Sequence, residues 1–153
     1  MSQDGAHGPS LEGTLDEHRD LVQIVAEVEA CLDRPPDREG HWIDALVEKL
    51  PTLVDSLRCH FVAEQQGALY CEVPLKFPRF AERLEQLAQE HGKILEAADD
   101  VIARSKTVGR AHIYEQRELN ARVQMLISTI RRHEAEETEI ILSAHWDEMG
   151  TGD

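Results

Sequence analysis

The chain is 153 residues long, with a formal charge of −14 and only 5% aromatic residues. One domain with its own core fits that length, and so acidic a surface disfavours nucleic acid and anionic membranes as partners. With 41% hydrophobic and 30% charged residues, the balance favours soluble helices over a sheet sandwich, and no run nears the roughly 20 apolar residues of a membrane helix.

Residues 1–10 hold glycine, serine and polar side chains without period and read as a flexible tail. They lack the basic-then-apolar pattern of a signal peptide. Thr14-Leu15-Asp16-Glu17 has the capping-box form with Thr14 as N-cap, and predicts a helix to about Asp33. Its apolar positions Leu21, Val22, Val25, Val28 and Leu32 recur at helical spacing, with His18 one turn earlier on that face. Pro35-Pro36 ends it. A second helical stretch runs from about His41 to Tyr70, and Pro51 should kink it or split it in two. Gly67, Pro74 and Pro78 mark a longer connector. The third helix is expected from about Pro78 to Ser105, with His91 inside a stripe of Leu84, Leu87, Ile94, Leu95, Ala98 and Val101. Gly109 lies in the next break, and a fourth helix from about Ala111 to Ser143 carries Leu119, Val123, Leu126 and Ile130. Residues 11–147 therefore predict an all-α, up-down four-helix bundle, and residues 148–153 a C-terminal tail.

The helices share one chemical feature. His60 and Glu64 stand four apart, on one helical face with Leu50, Leu53 and Leu57. His133 and Glu137 repeat the spacing on a face with Leu126, Ile130 and Ile140. His18 and His91 add an inward histidine from each remaining helix. Four imidazoles and two carboxylates in an apolar core are costly unless paired, and a shared metal centre satisfies all of them at once. This thiolate-free donor set suits iron or zinc, and manganese less well. Six ligands are too many for one tetrahedral zinc, whereas two irons sharing Glu64 and Glu137 fit the number. Ferritin-like diiron proteins use Glu-x-x-His instead, a spacing missing from these faces.

Glu134 and Glu136 fall on other helical faces and should be dispensable. Tyr70, six residues or roughly 9 Å beyond Glu64 along a helix, is a candidate to touch the ligands, although core packing is the simpler reading. Leu95, one turn after His91, is the other candidate. His7, His41, His112 and His145 read as surface or helix-end residues, and Tyr114 as distant from the site. Cys31, Cys59 and Cys71 lack zinc-like spacing and read as reduced thiols of a cytoplasmic protein. Cys59 adjoins His60, but adjacent helical positions diverge by about 100°, which argues against a catalytic thiol.

The order His18, His60-x-x-x-Glu64, His91, His133-x-x-x-Glu137 resembles the hemerythrin-like (HHE cation-binding) domain over roughly residues 14–146. Asp16-Glu17-His18, His60-Phe61-Val62-Ala63-Glu64 and Glu90-His91 carry the likeness further. The resemblance implies a left-handed bundle holding two iron ions, oxo- or hydroxo-bridged and spanned by both glutamates. It also implies a small diatomic molecule or peroxide as the reacting partner. Oxygen-carrying hemerythrins have a second histidine where Leu95 stands, and an aspartate where Thr138 stands. The pattern here is closer to the hemerythrin-like domains of iron-cluster repair proteins and iron-sensing ubiquitin-ligase subunits. The expected function is a diiron protein that reacts with or senses dioxygen, peroxide or nitric oxide. The alternatives are reversible dioxygen storage and non-redox, iron-dependent regulation.

Overall fold

The computed structural model describes residues 11–150, with side chains from Arg19 onward. The expected tail at residues 1–10 and the His18 side chain lie outside the described residues, as do residues 151–153. Among the described residues every regular element is helical: α1 (Leu11–Leu32), α2 (His41–Gln66), α3 (Ala68–Cys71), α4 (Val73–Lys76), a 3₁₀ turn (Pro78–Phe80), α5 (Ala81–Thr107) and α6 (Ile113–Gly150). The four long helices form a ring, in which α1 packs on α2 and α6, and α5 packs on the same two. Short connections between them impose the alternating directions of an up-down bundle. No described helix is long and apolar enough to cross a membrane.

Several element ends differ from the sequence expectations. Helix α1 begins at Leu11, so Thr14 lies inside it and is not its N-cap. Helix α2 runs unbroken through Pro51. That proline lacks one amide donor, but Leu46, Leu50, Leu53 and Val54 are buried on both sides of it and hold the helix in place. The start of α2 is fixed by Asp37, whose carboxylate accepts the amides of His41 and Trp42 at 2.9 and 3.0 Å. Before them Gly40 turns the chain with φ 83°, a left-handed conformation that glycine adopts without strain. Helix α6 continues past Ser143 to Gly150. Its last turns are tied to the connector by Arg79–Asp147 and by Lys76–Glu148 at 3.2 Å.

The core is divided. One apolar cluster fills most of the bundle and includes Val25, Leu46, Leu50, Leu57, Phe61, Ile94, Val123, Leu126 and Ile130. A smaller one, Leu69, Val73, Phe80, Leu84, Leu87, Ile140, Ile141 and Ala144, closes the far end beneath the connector. The polar residues of α2, α5 and α6 lie between them. Helix α5 ends at Thr107 and α6 begins only at Ile113, leaving residues 108–112 outside either helix and bringing His91 and His133 to the same level of the bundle. The two imidazole rings meet with centroids 4.9 Å apart.

Leu50 is fully buried in the larger cluster, so Leu50→Ala should cost about 2–5 kcal/mol in urea unfolding while leaving metal capacity unchanged. A cost under about 1 kcal/mol would show that this cluster is loosely packed.

Candidate metal centre

His60 and Glu64 point inward from α2, His91 from α5, and His133, Glu134 and Glu137 from α6, none more than 8% exposed. Residues four apart share a helical face. His60 Nε2 accordingly lies 2.5 Å from Glu64 Oε1, and His133 Nε2 lies 2.8 Å from Glu137 Oε1. The second oxygen of Glu64 reaches across to α5, 3.3 Å from His91 Nε2. His60 Nε2 is also 3.2 Å from Glu134 Oε1.

Donor atoms within 4.8 Å of one another form two groups: Glu64, His91, His133 and Glu137 in one, and His60, Glu64 and Glu134 in the other. Glu64 belongs to both, one oxygen directed to each. These groups fit cations. Neighbouring ligands about 2.0–2.1 Å from one ion lie about 3 Å apart when at right angles, close to the separations seen here. His133 Nε2 and Glu137 Oε1 are buried and form an ion pair at 2.8 Å, with no further hydrogen-bond partner for either atom. A cation between them satisfies both.

Further side chains hold the donors in place. His133 Nδ1 is 2.8 Å from Glu90 Oε2, and His91 Nδ1 is 3.0 Å from the Gln65 amide. Tyr70 donates its hydroxyl proton to Glu137 Oε2 at 2.9 Å, with the same oxygen 3.5 Å from His91 Nε2. Phe61 stacks on His91, centroids 4.0 Å apart and planes at 9°, and meets His133 edge-on. The rings are thus clamped from the apolar side.

The electrostatics follow from burial. Burial alone lowers the pKa of His60, but hydrogen bonds to Glu134 and Glu64 outweigh it and push it up to about 10. His133 behaves alike: burial opposes its charge, while Glu137 and Glu90 raise it to about 9. Burial holds the Glu137 carboxyl well above the usual carboxylate range, against the opposing pull of His133. Burial and then Glu137 push the Tyr70 hydroxyl up as well, so it stays a proton donor.

Among the residues expected from the sequence, His60, Glu64, His91, His133 and Glu137 converge, and His18 lies on α1 with its side chain outside the described residues. Glu134 corrects the expectation: it is buried beside His60 and does not face away. Its signal was present in the sequence, since Ile127 and Ile141, seven residues to either side, are both buried. Glu136 is half-buried and belongs to neither donor group. Tyr70 is hydrogen-bonded rather than merely packed, because Gly67 ends α2 and α3 folds back under the cluster. Leu95 is half-buried against the larger apolar cluster. His41, His112 and Tyr114 are exposed and His145 half-buried. The three cysteines are free, with Cys59 and Cys71 exposed. Gln65 and Glu90 are contacts that helical periodicity does not single out.

Residues 11–144 match the protein family described as the Hemerythrin HHE cation binding domain. No curated protein and no solved structure matches the chain.

The raised imidazole values carry a pH prediction with two signs. In the metal-free fold, stability from protonated His60 and His133 is full below their ordinary value of 6.5 and is lost as pH rises through about 9 and about 10. Metal needs neutral imidazole and ionised carboxylate, so uptake should release protons from His60, His133 and Glu137 near neutrality and tighten as pH rises. Urea unfolding of the metal-free chain and Co(II) titration, each at about pH 6 and about pH 9, should move in opposite directions. Metal uptake independent of pH would contradict this.

Proposed function

This chain belongs to the hemerythrin HHE cation binding domain family, and from that premise we propose that it is a non-haem diiron protein that reacts with or senses a small oxidant. Dioxygen, peroxide and nitric oxide are the candidate oxidants. The observation that carries the reading is Glu64, whose two oxygens are directed at His60 and His91 in separate donor groups. One carboxylate shared in this way calls for two ions. Glu64, His91, His133 and Glu137 would hold one. His60, Glu64 and Glu134 would hold the other, with His18 added from α1. Two irons held there would supply electrons to the oxidant and Lewis acidity to bind it.

The residues themselves set how the site is reached. A groove of about 300 Å³ between α1 and α6, lined by Leu21, Val25 and Ile130, leads to Glu134. Another of about 330 Å³, between α1 and α2, borders His60. The apolar wall of the first groove suits a small, weakly polar oxidant better than a charged substrate, while Asp20 and Ser56 make the second more polar. Phe61 covers His91 and His133 from the apolar side, and Tyr70 holds a proton at Glu137 Oε2. The oxidant therefore approaches on the His60 and Glu134 side.

Two measurements test this. Glu64→Ala should lose both ions, Glu134→Ala about one, and Glu136→Ala neither; equal retention in all three would defeat the shared-carboxylate assignment. Iron-loaded protein reduced without air should turn ferric within the mixing time on exposure to dioxygen or peroxide, followed by its visible spectrum. A spectral change that reverses under argon would replace this reading with dioxygen storage.

A further inference from the structure

We propose that Glu90 is a positioning residue of the metal centre, acting through His133 to fix which ring nitrogen faces the ions and to strengthen it as a donor. The inference rests on the diiron reading above. Glu90 stands on α5 and reaches across to α6, with its Oε2 2.8 Å from His133 Nδ1. The His133 side chain is completely buried, while that of Glu90 is 30% exposed. Glu90 also lines a groove of about 410 Å³ between α5 and α6, together with Lys93, Ile94, Leu126 and Arg132.

The chemistry follows from the ring. A neutral imidazole carries one proton, on either nitrogen. A carboxylate at Nδ1 accepts that proton's hydrogen bond and leaves the Nε2 lone pair free. Nε2 is the atom that lies 2.8 Å from Glu137 Oε1, in the group with Glu64 and His91. The negative charge behind the ring also raises its basicity toward a cation. His91 differs, since its Nδ1 meets the neutral amide of Gln65. That amide, turned about its last bond, offers an oxygen to the same kind of ring proton but no charge. Glu90 is thus a charged backing for a buried ring that solvent does not reach.

A purely structural ion pair would look similar, so the test must separate the two. Glu90→Gln keeps the size and an acceptor oxygen but removes the charge; Glu90→Ala removes both. Asp100→Asn is the control, because Asp100 lines the same groove and pairs with Arg104 at the surface. Co(II) affinity of the metal-free chain and the ferric/ferrous midpoint of the iron-loaded chain are measured for all four proteins. Glu90→Gln should bind Co(II) about tenfold more weakly and Glu90→Ala about 10–100-fold more weakly. The Glu90→Gln midpoint should rise by about 59 mV, equivalent to a tenfold loss of ferric preference. Asp100→Asn should match wild type in both. If Glu90→Gln lowers thermal stability yet keeps wild-type affinity and midpoint, Glu90 is only a structural partner and the proposal fails. A wild-type chain that takes up no metal would defeat the diiron reading itself, a different result from a wild type that binds metal as well as its Glu90 variants do.

Discussion

Three carboxylates buried in an apolar bundle govern the rest of this molecule. Glu64, Glu134 and Glu137 are 2%, 4% and 0% exposed, and an ionised carboxylate in such surroundings costs several kcal/mol unless opposite charge and hydrogen bonds offset it. Imidazoles from α2, α5 and α6 supply the partners. In the metal-free chain the compensation comes from protons, which is why His60 and His133 hold theirs well above the ordinary histidine range. Cations held there would do the same with more charge at each position, and would also satisfy Nε2 of His133 and Oε1 of Glu137, which lie 2.8 Å apart. The apolar clusters on either side keep water from taking over this role.

The donors most legible in the sequence were those four apart on an apolar face. His60 with Glu64 and His133 with Glu137 needed only helical periodicity, and the bundle followed from four amphipathic stretches and their breakers. The four-apart spacing does not reveal Glu134, because α6 buries two adjoining stripes rather than one. A helix flanked by two neighbours turns a wider arc inward than a single His-x-x-x-Glu face implies, and α6 packs on both α1 and α5. The continuation of α6 to Gly150 was equally hidden, since it depends on Arg79 and Lys76, residues remote in sequence. Contacts such as Glu90 with His133 and Gln65 with His91 are set by how helices abut, which no local pattern records.

The connector after α2 does more than join two helices. Gly67 stops α2 three residues beyond Glu64, with its amide bonded to the Glu64 carbonyl. The chain then turns through α3 and α4, burying Leu69 and Val73 against Leu84, Leu87 and Ile140. The same turn brings the Tyr70 hydroxyl to Glu137, on the opposite side of the bundle. One short segment therefore closes the end of the core and supplies a proton donor to a buried carboxylate. On the other face, the grooves beside α1 leave His60 and Glu134 nearer to solvent-filled space. The donor cluster thus has a clamped side and a side that faces open grooves.

The central claim is that one shared carboxylate, Glu64, joins two metal positions in a single chain. Elemental analysis of protein purified from iron-replete cells tests it most directly. About two irons per chain are expected from the two donor groups. One zinc and no iron would contradict a diiron centre.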